Sequence, residues 1–337
     1  MSARIHRVLV IGTGSIGERH VRCLLSTGRA EVGICELNDA IRNAVGDRYD
    51  VRGAFAELDE ALDLKWDAAL IATPAHTHIP IATKLVEHDI PLLIEKPLSV
   101  DMNGVAEILD TVREKNLIAA VSYNYRAHPA LSAMKSAIDD GRFGNILQMY
   151  CNVGQHFATY RPAYASVYFA NREHGGGAIQ DAMTHSVNMG EWLAGPVDRI
   201  SVDAGHQYLE GVDVEDTVHA FARHGKVMSS YVLNLYQRPN ESSITVVCEK
   251  ATLRFNMLEG RWSWMDDVDG DWHDEVHALD DRDALYELNA AAFLDALEGL
   301  SSPLCSLDDG LQSLRTNIAA ITSASAGGWQ QVNEERQ

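Results

Sequence analysis

The fold is decided near the start of the chain, where residues 7–17 read RVLVIGTGSIG. The apolar run before Gly12 is typical of a buried parallel strand, and a helical pattern of apolar residues follows the last glycine. A strand, a GxGxxG turn and a helix in this order form a dinucleotide-binding fingerprint, because the helix N-terminus offers free N–H groups to phosphates. The residues that we expect to hold the dinucleotide phosphates are Gly12, Gly14, Ser15, Ile16 and Gly17.

The next apolar run, residues 30–35, ends at Glu36. This is the chain position expected for the acid that binds a ribose 2′-hydroxyl group. A carboxylate there would repel a 2′-phosphate, so the sequence favours NAD over NADP. The alternative is a solvated carboxylate at a strand end.

Two further strand ends place polar residues at the same edge of the predicted sheet. The run at residues 67–71 leads into Thr73, Pro74 and His78. The run at residues 92–94 leads into Glu95 and Lys96, and Pro97 ends it. Ligands of open α/β sheets bind at the carboxyl ends of the strands. The residues that we expect to contact the cofactor here are therefore Thr73, Pro74, His78, Glu95 and Lys96.

Lys96 is also a candidate catalytic residue. A lysine that is partly desolvated at a strand end can exchange protons near neutral pH. The alternative is a surface lysine that follows a strand. His76 and His78 could suggest a metal site, but no carboxylate or cysteine accompanies them at ligand spacing, so we predict no metal.

Strands alternate with helices as far as Ser122, which predicts a doubly wound parallel sheet in residues 1–122. The pattern then changes. Short extended runs broken by glycine and proline occupy residues 200–276 and need no helices between them. We therefore predict a second domain, residues 123–337, with an open and mainly antiparallel sheet that carries helices on one face.

The second domain contains a candidate acid–base pair. Asp181 and His185 lie four residues apart on a predicted helix that follows three glycines at 175–177. A carboxylate beside an imidazole can orient the imidazole for general acid–base catalysis. The alternative is an exposed charge pair. The glycines would let the start of the helix lie close to a ligand or to another backbone segment.

A long irregular segment, residues 154–173, contains His156, Tyr160 and Arg161. Loops of this length are often functional. Aromatic rings with an arginine suit a hydroxylated or anionic small molecule, and they suit an oligomer interface equally well. Arg161 and Arg172 could hold a carboxylate or a phosphate.

Composition narrows the choice of partners. The formal net charge is −20 in 337 residues, which disfavours binding to nucleic acid or to anionic membranes. The five cysteines are scattered and form no CxxC motif, which favours a reducing compartment. No apolar run resembles a signal core or a bilayer-spanning helix, so we expect a cytoplasmic protein.

Taken in order, these motifs resemble those of the Gfo/Idh/MocA oxidoreductases, which include glucose-fructose oxidoreductase and inositol 2-dehydrogenase. The resemblance covers almost the full length. It rests on the glycine turn, on residues 72–74 with His78, on residues 95–97 and on the glycine run followed by Asp181 and His185. It implies an N-terminal Rossmann domain, a C-terminal open sheet that commonly forms dimers or tetramers, and hydride transfer between NAD(P) and a sugar or polyol carbon.

The resemblance also implies roles for individual residues. Lys96 would contact the reacting oxygen and the nicotinamide side. His185 would be the general base in oxidation, and Asp181 would hold the substrate hydroxyl group and the histidine. Residues 123–126 would line the nicotinamide pocket. The candidate substrate-contacting residues are Tyr125, Arg126, His156, Tyr160 and Arg161.

Two other functions remain open at this point. The same fold serves some regulators that bind a dinucleotide without catalysis, although such a sensor need not keep Lys96, Asp181 and His185. The bound dinucleotide could also support redox-neutral chemistry, for example glycoside cleavage. The sequence does not identify the sugar or polyol.

Overall fold

The structure is a computed structural model that describes residues 4–333. These residues form two compact units. The first unit runs to Ala127 and also includes Asp280–Leu311. The second unit comprises His128–Leu279 and the chain from Gln312 onward. The sequence-based boundary after Ser122 lies close to the end of the first segment, and it did not anticipate the return of residues 280–311.

The first unit contains a parallel sheet of six strands in the order β3-β2-β1-β4-β5-β6. This is the predicted doubly wound arrangement, in which the strand order reverses at β1. The strands are β1 (His6–Ile11), β2 (Ala30–Cys35), β3 (Gly53–Phe55), β4 (Ala68–Ile71), β5 (Leu92–Glu95) and β6 (Ala119–Ser122).

Helices connect these strands and continue into the second unit. The α-helices are α1 (Ser15–Ser26), α2 (Asp39–Arg48), α3 (Leu58–Leu62), α4 (His78–Glu87), α5 (Val105–Glu114), α6 (Pro129–Asp139), α7 (Phe157–Tyr160), α8 (Thr184–Ala194), α9 (Ala284–Leu297) and α10 (Leu307–Ala326).

The core of the first unit explains why residues 280–311 belong to it. Phe293 and Leu294 of α9 are buried in the same hydrophobic cluster as Val8 and Val10 of β1. Burial of each such side chain stabilises the fold by about 1.5–3 kcal/mol. Helix α9, distant in sequence, therefore completes the nucleotide-binding unit.

The second unit contains a nine-stranded sheet in the order β14-β13-β12-β11-β7-β10-β9-β8-β15. Among the strand pairings of this sheet within residues 4–333, β7–β10 alone is parallel, so the predicted mainly antiparallel sheet is confirmed. The strands are β7 (Ile146–Gly154), β8 (Arg199–Gly205), β9 (Thr217–His224), β10 (Val227–Asn234), β11 (Glu241–Cys248), β12 (Thr252–Asn256), β13 (Arg261–Met265), β14 (His273–Val276) and β15 (Gln330–Gln331).

One face of this sheet is packed against helices and the other is open. On the packed face, Gly190 of α8 lies so close to Tyr231 of β10 that a side chain would collide with the tyrosine hydroxyl group. On the open face, Phe221 and Met228 are 62% and 54% exposed. Strand alternation therefore leaves large apolar side chains exposed beside polar residues.

Within residues 4–333, none of the helices has the length and apolar character needed to cross a bilayer. The same residues contain no group of three or more His, Cys, Asp or Glu side chains that could hold a metal ion. All five cysteines are buried and free.

Candidate active site

The glycine turn between β1 and α1 forms a cradle with one open position. Gly12 has a φ of +81°, and a Cβ atom there would lie 2.8 Å from the methyl group of Thr73. A Cβ atom at Gly17 would collide with the Gly12 carbonyl oxygen. A Cβ atom at Gly14 would meet nothing within 4 Å. The protein itself requires the first and third glycines, and the second faces the space where a pyrophosphate would lie.

Two further features of this cradle suit a dinucleotide. Thr13 is 1% exposed, yet its hydroxyl oxygen has no hydrogen-bond partner within the protein. The Glu36 carboxylate accepts hydrogen bonds from the backbone N–H groups of Thr13 (2.8 Å) and Asn38 (2.9 Å). An unsatisfied buried hydroxyl calls for a polar ligand, and Glu36 is fixed where the ribose is expected. These residues fit the adenosine half of NAD.

His78 joins two of the predicted cofactor-binding segments. Its Nε2 atom lies 2.8 Å from the Thr73 carbonyl oxygen, and its Nδ1 atom lies 3.0 Å from the Pro97 carbonyl oxygen. Burial lowers the pKa of His78 below its usual value, and the two carbonyl groups offset this only in part. His78 therefore ties the end of β4 to the end of β5.

Glu95 and Lys96 lie at the carboxyl end of β5, as predicted. Lys96 is half-buried, whereas Glu95 is buried, and the Glu95 carboxylate lies 2.7 Å from Nε2 of the buried His20. Burial alone would raise the pKa of Glu95, but the hydrogen bond and charge of His20, with the charge of Lys96, hold it below its usual value. His20 was not among the residues predicted from the sequence, where its one signal is a polar residue on the inner face of α1.

The candidate pair of the second unit lies where the helix geometry changes. Asp181 is in a π-helical turn, Ile179–Met183, and His185 is in the first turn of α8. Asp181 is 1% exposed; it accepts hydrogen bonds from the Tyr168 hydroxyl group (2.6 Å) and from Arg161 (3.0 Å). Such π-turns are frequent at functional sites. The structure thus brings Arg161 to Asp181, a contact that the sequence did not reveal.

A buried glutamate fixes the start of this helical segment. Glu215 is 5% exposed; it accepts a hydrogen bond from the Ile179 N–H group (3.0 Å) and forms an ion pair with Arg172. Gly177, with a φ of +89°, leaves room for this carboxylate, and a side chain at Gly176 would collide with the backbone of residues 168–171. The glycine run therefore permits close approach of another backbone segment, one of the two alternatives considered above.

The five candidate substrate residues occupy different environments. Arg126 is 3% exposed and contacts the Leu304 carbonyl oxygen and Asp309. The ring of His156 is buried and hydrogen-bonds with Thr159 and Arg238.

Tyr125 is half-buried, and Tyr160 is 45% exposed. The half-exposed guanidinium of Arg161 stacks over the Phe157 ring at 4.9 Å. The burial and internal bonds of Arg126 and His156 favour structural roles for both. Tyr125, Tyr160 and Arg161 have the greater exposure and are the better candidates for contact with a ligand.

A Rossmann unit with a glycine cradle and a fixed acid at the end of β2, followed by an open-sheet unit, is the architecture of a class of dinucleotide-binding proteins. Residues 6–123 match the oxidoreductase family with an NAD-binding Rossmann fold. Residues 131–254 match the GFO/IDH/MocA C-terminal domain. The chain therefore belongs to the GFO/IDH/MocA family, which confirms the resemblance and the fold class predicted from the sequence.

Two curated relatives show how far sequence similarity extends. Levoglucosan dehydrogenase of Pseudarthrobacter phenanthrenivorans is 31% identical over 131 residues, which cover 39% of this chain and 34% of the relative. Inositol 2-dehydrogenase 4 of Saccharopolyspora erythraea is 29% identical over 205 residues, which cover 58% of this chain and 56% of the relative. The chain thus spans between a third and just over half of the length of these relatives.

Solved structures match over nearly the whole chain. The WlbA dehydrogenase from Bordetella pertussis, in complex with NADH and UDP-GlcNAcA, has a TM-score of 0.82 at 26% identity and covers 99% of this chain and 100% of its own. A levoglucosan dehydrogenase in complex with NADH and levoglucosan has a TM-score of 0.88 at 21% identity, with 98% and 100% covered. The second similarity is one of fold.

Proposed function

We propose that the protein is an NAD-dependent oxidoreductase that transfers a hydride between the nicotinamide and a hydroxyl-bearing carbon of a sugar, cyclitol or sugar derivative. The main support is the carboxyl edge of the six-stranded sheet. There the open Gly14 position, the fixed Glu36 carboxylate and Lys96 lie at the ends of β1, β2 and β5. Membership of an NAD-binding oxidoreductase family supports the same function.

In this proposal, nicotinamide supplies the hydride acceptor, and the protein supplies proton transfer and orientation. Lys96 polarises the reacting oxygen. His185 takes the hydroxyl proton in oxidation and returns it in reduction. Asp181, held by Arg161 and Tyr168, orients the histidine and a substrate hydroxyl group. We propose these three residues as the acid–base machinery.

The cofactor is proposed to be NAD rather than NADP. Both carboxylate oxygens of Glu36 accept backbone hydrogen bonds, so the carboxylate is held in place at the end of β2. A 2′-phosphate bound there would face this negative charge, whereas a 2′-hydroxyl group could donate a hydrogen bond to it. We expect kcat/KM to be higher with NAD than with NADP.

The substrate is proposed to be neutral rather than acidic. The two arginines that could hold an anion, Arg161 and Arg172, pair with the buried carboxylates of Asp181 and Glu215. An anionic group would have to compete with these carboxylates. This arrangement favours a polyhydroxylated neutral compound, such as the levoglucosan and inositol named for two relatives.

The test is the formation of NADH by the purified protein with NAD and a panel of inositols, aldoses, anhydrosugars and uronic acids. With the best substrate, Lys96→Ala should lower kcat by about 10²–10⁴-fold while NADH still binds, because the variant lacks the group that polarises the reacting oxygen. Lys84→Ala, which alters an exposed lysine paired with Asp59, is the matched control. Unchanged turnover in Lys96→Ala would refute the assignment. Tight NADH binding without turnover on any compound would favour a non-catalytic sensor.

We also propose a homo-oligomer formed through the open face of the nine-stranded sheet, and a cytoplasmic location. Phe221 and Tyr150 both lie beside Ser230 in adjacent strands of this face, and Met228 lies one pleat away. Exposed apolar side chains on one sheet face are typical of interfaces. The five free, buried cysteines fit a reducing compartment.

A further inference from the structure

The Glu95 carboxylate lies next to Lys96 in the chain, and the proposed chemistry does not use it. It accepts hydrogen bonds from the Lys96 backbone N–H group (3.1 Å) and from the Ser122 side chain, and it lies 2.7 Å from His20 Nε2. A carboxylate in its ionised form has no proton to donate. The Nε2 atom of His20 therefore carries the proton of this short hydrogen bond.

His20 is held in this orientation by its surroundings. It is fully buried on α1, and its ring meets the edge of Tyr286 from α9 at a centroid distance of 5.3 Å. Arg19 lies over the same tyrosine ring at 4.9 Å. The imidazole is thus enclosed between α1, β5 and α9, and it cannot turn away from Glu95 without repacking of α9.

Stability alone does not account for this pair. Removing a carboxylate from water has a large free-energy cost, and well-packed apolar residues often serve a core equally well or better than a buried ion pair. Perturbed ionisable groups of this kind occur preferentially at functional sites. The Glu95–His20 pair is in contact with the backbone of Lys96, one of the three residues that we propose as the acid–base machinery.

We propose that His20 is a positioning residue that holds the Glu95 carboxylate in place between α1, β5 and α9, and thereby sets the electrostatic field in which Lys96 exchanges its proton. The inference rests on the proposed function of Lys96. It assigns a role to His20, which lies outside the predicted site, and to Glu95, which precedes Lys96 in the chain.

The charged groups around the pair agree with this role. Lys96 lies on the same segment, His78 on α4, Tyr286 on α9, and Arg19 on α1 pairs with Asp283 at 3.1 Å. Burial would raise the pKa of Glu95, and His20 provides the main offsetting interaction. Without His20, the Glu95 carboxylate loses its buried partner and can approach the Lys96 ammonium group, which would stabilise the charged form of Lys96.

The experiment measures how the labelling of Lys96 by an amine-acylating reagent depends on pH, with peptide mass spectrometry as the readout. Glu95→Gln should move the pH midpoint of Lys96 labelling downward by about one unit or more, because it removes the neighbouring negative charge. His20→Phe should move the midpoint upward, because it releases that charge toward the Lys96 ammonium group. The double variant should match Glu95→Gln, because His20 acts on Lys96 only through the Glu95 carboxylate. An unchanged or lowered midpoint in His20→Phe would overturn the inference, as would additive shifts in the double variant.

The chain offers a matched control. His6 is also buried, and its Nε2 atom lies 3.0 Å from Glu298 in the same unit, but at the opposite end of the strands. His6→Phe should leave the Lys96 midpoint unchanged. His20→Gln, which retains an N–H donor, should restore most of the wild-type midpoint. If His20→Phe does not fold, Glu95→Gln decides alone, since an unchanged midpoint there removes the basis of the proposal.

The labelling readout needs neither substrate nor turnover, so it separates this inference from the proposed function. A protein that is inactive on every compound could still give the expected shifts. A protein that is active but gives no shift would refute only the role of His20. In the active enzyme, the pH midpoint of kcat/KM should move in the same direction as the labelling midpoint.

Discussion

Gly14 differs from the two neighbouring glycines of its motif in what an added methyl group would meet. Its φ of −59° suits any residue, and the space around its Cβ position is empty to 4 Å. Gly14→Ala should therefore leave the free energy of unfolding unchanged or raise it slightly. It should weaken NADH binding by about tenfold or more, because the methyl group would occupy the approach of the pyrophosphate. Fluorescence titration with NADH and thermal unfolding measure the two effects.

Gly17→Ala is the matched comparison. A methyl group there would collide with the Gly12 carbonyl oxygen, so this variant should lose about 1–3 kcal/mol of stability or more. If Gly14→Ala bound NADH as tightly as the wild type, the cradle would not be the phosphate site. If it were as unstable as Gly17→Ala, the second glycine would serve packing instead.

The contrast between Lys96 and His20 shows what could be predicted at the scale of residues. Lys96 follows an apolar run and precedes Pro97, so the local pattern places it at a strand end. The bond between His20 and Glu95 joins residues 75 positions apart, and no local period encodes it. The same holds for Arg161 and Asp181, which were separate candidates in the sequence and are hydrogen-bonded in the structure.

At the scale of elements, the segment that carries Asp181 begins against Glu215. Glu215→Ala would remove the acceptor of the Ile179 N–H group and release Arg172. We expect a loss of about 2 kcal/mol, because hydrogen bonds to a buried charged group are among the strongest. In a unit of this size, that loss lowers Tm by roughly 4–8 °C.

Glu173→Ala supplies the control for this change. Glu173 follows Arg172, the ion-pair partner of Glu215, but it is exposed, and the structure gives its carboxylate no hydrogen bond. Its removal should change the free energy of unfolding by no more than about 0.5 kcal/mol, so Tm should stay close to the wild-type value. Equal Tm values for the two variants would show that Glu215 does not fix the start of the helix.

Local sequence patterns predicted whether most segments form helices or strands, but they did not predict which of these elements pack together. The apolar sequence of α9 indicates a helix that is largely buried, but it does not show which unit covers the helix. Phe293 and Leu294 in fact complete the core of the Rossmann unit. The π-turn at Ile179–Met183 was also beyond prediction, because the close contact of Gly177 with Glu215 is a tertiary feature.

At the scale of the whole molecule, the open face of the nine-stranded sheet supports the proposal of an oligomer. Ser230, between Phe221 and Tyr150, is short, so the face is an apolar surface interrupted by polar positions. The open face extends across β11 to β14 as a groove of about 460 Å³. In this groove, Arg254 stacks on Trp272 at 4.3 Å. A two-fold interface would use each of these residues twice, so a single substitution acts on both copies.

Phe221→Asp should therefore dissociate the oligomer. It replaces a ring that is 62% exposed with a charge in each copy, and the loss of two buried phenyl groups corresponds to at least about 3 kcal/mol, or roughly a hundredfold in Kd. Light scattering after size-exclusion chromatography should give at least twice the chain mass of 37.1 kDa for the wild type and the single-chain mass for the variant.

Leu300→Asp, at a 70% exposed position in the other unit, is the control and should keep the wild-type mass. A wild-type protein that stays at the single-chain mass across concentrations would contradict the proposal, and an oligomer that survives Phe221→Asp would place the interface elsewhere.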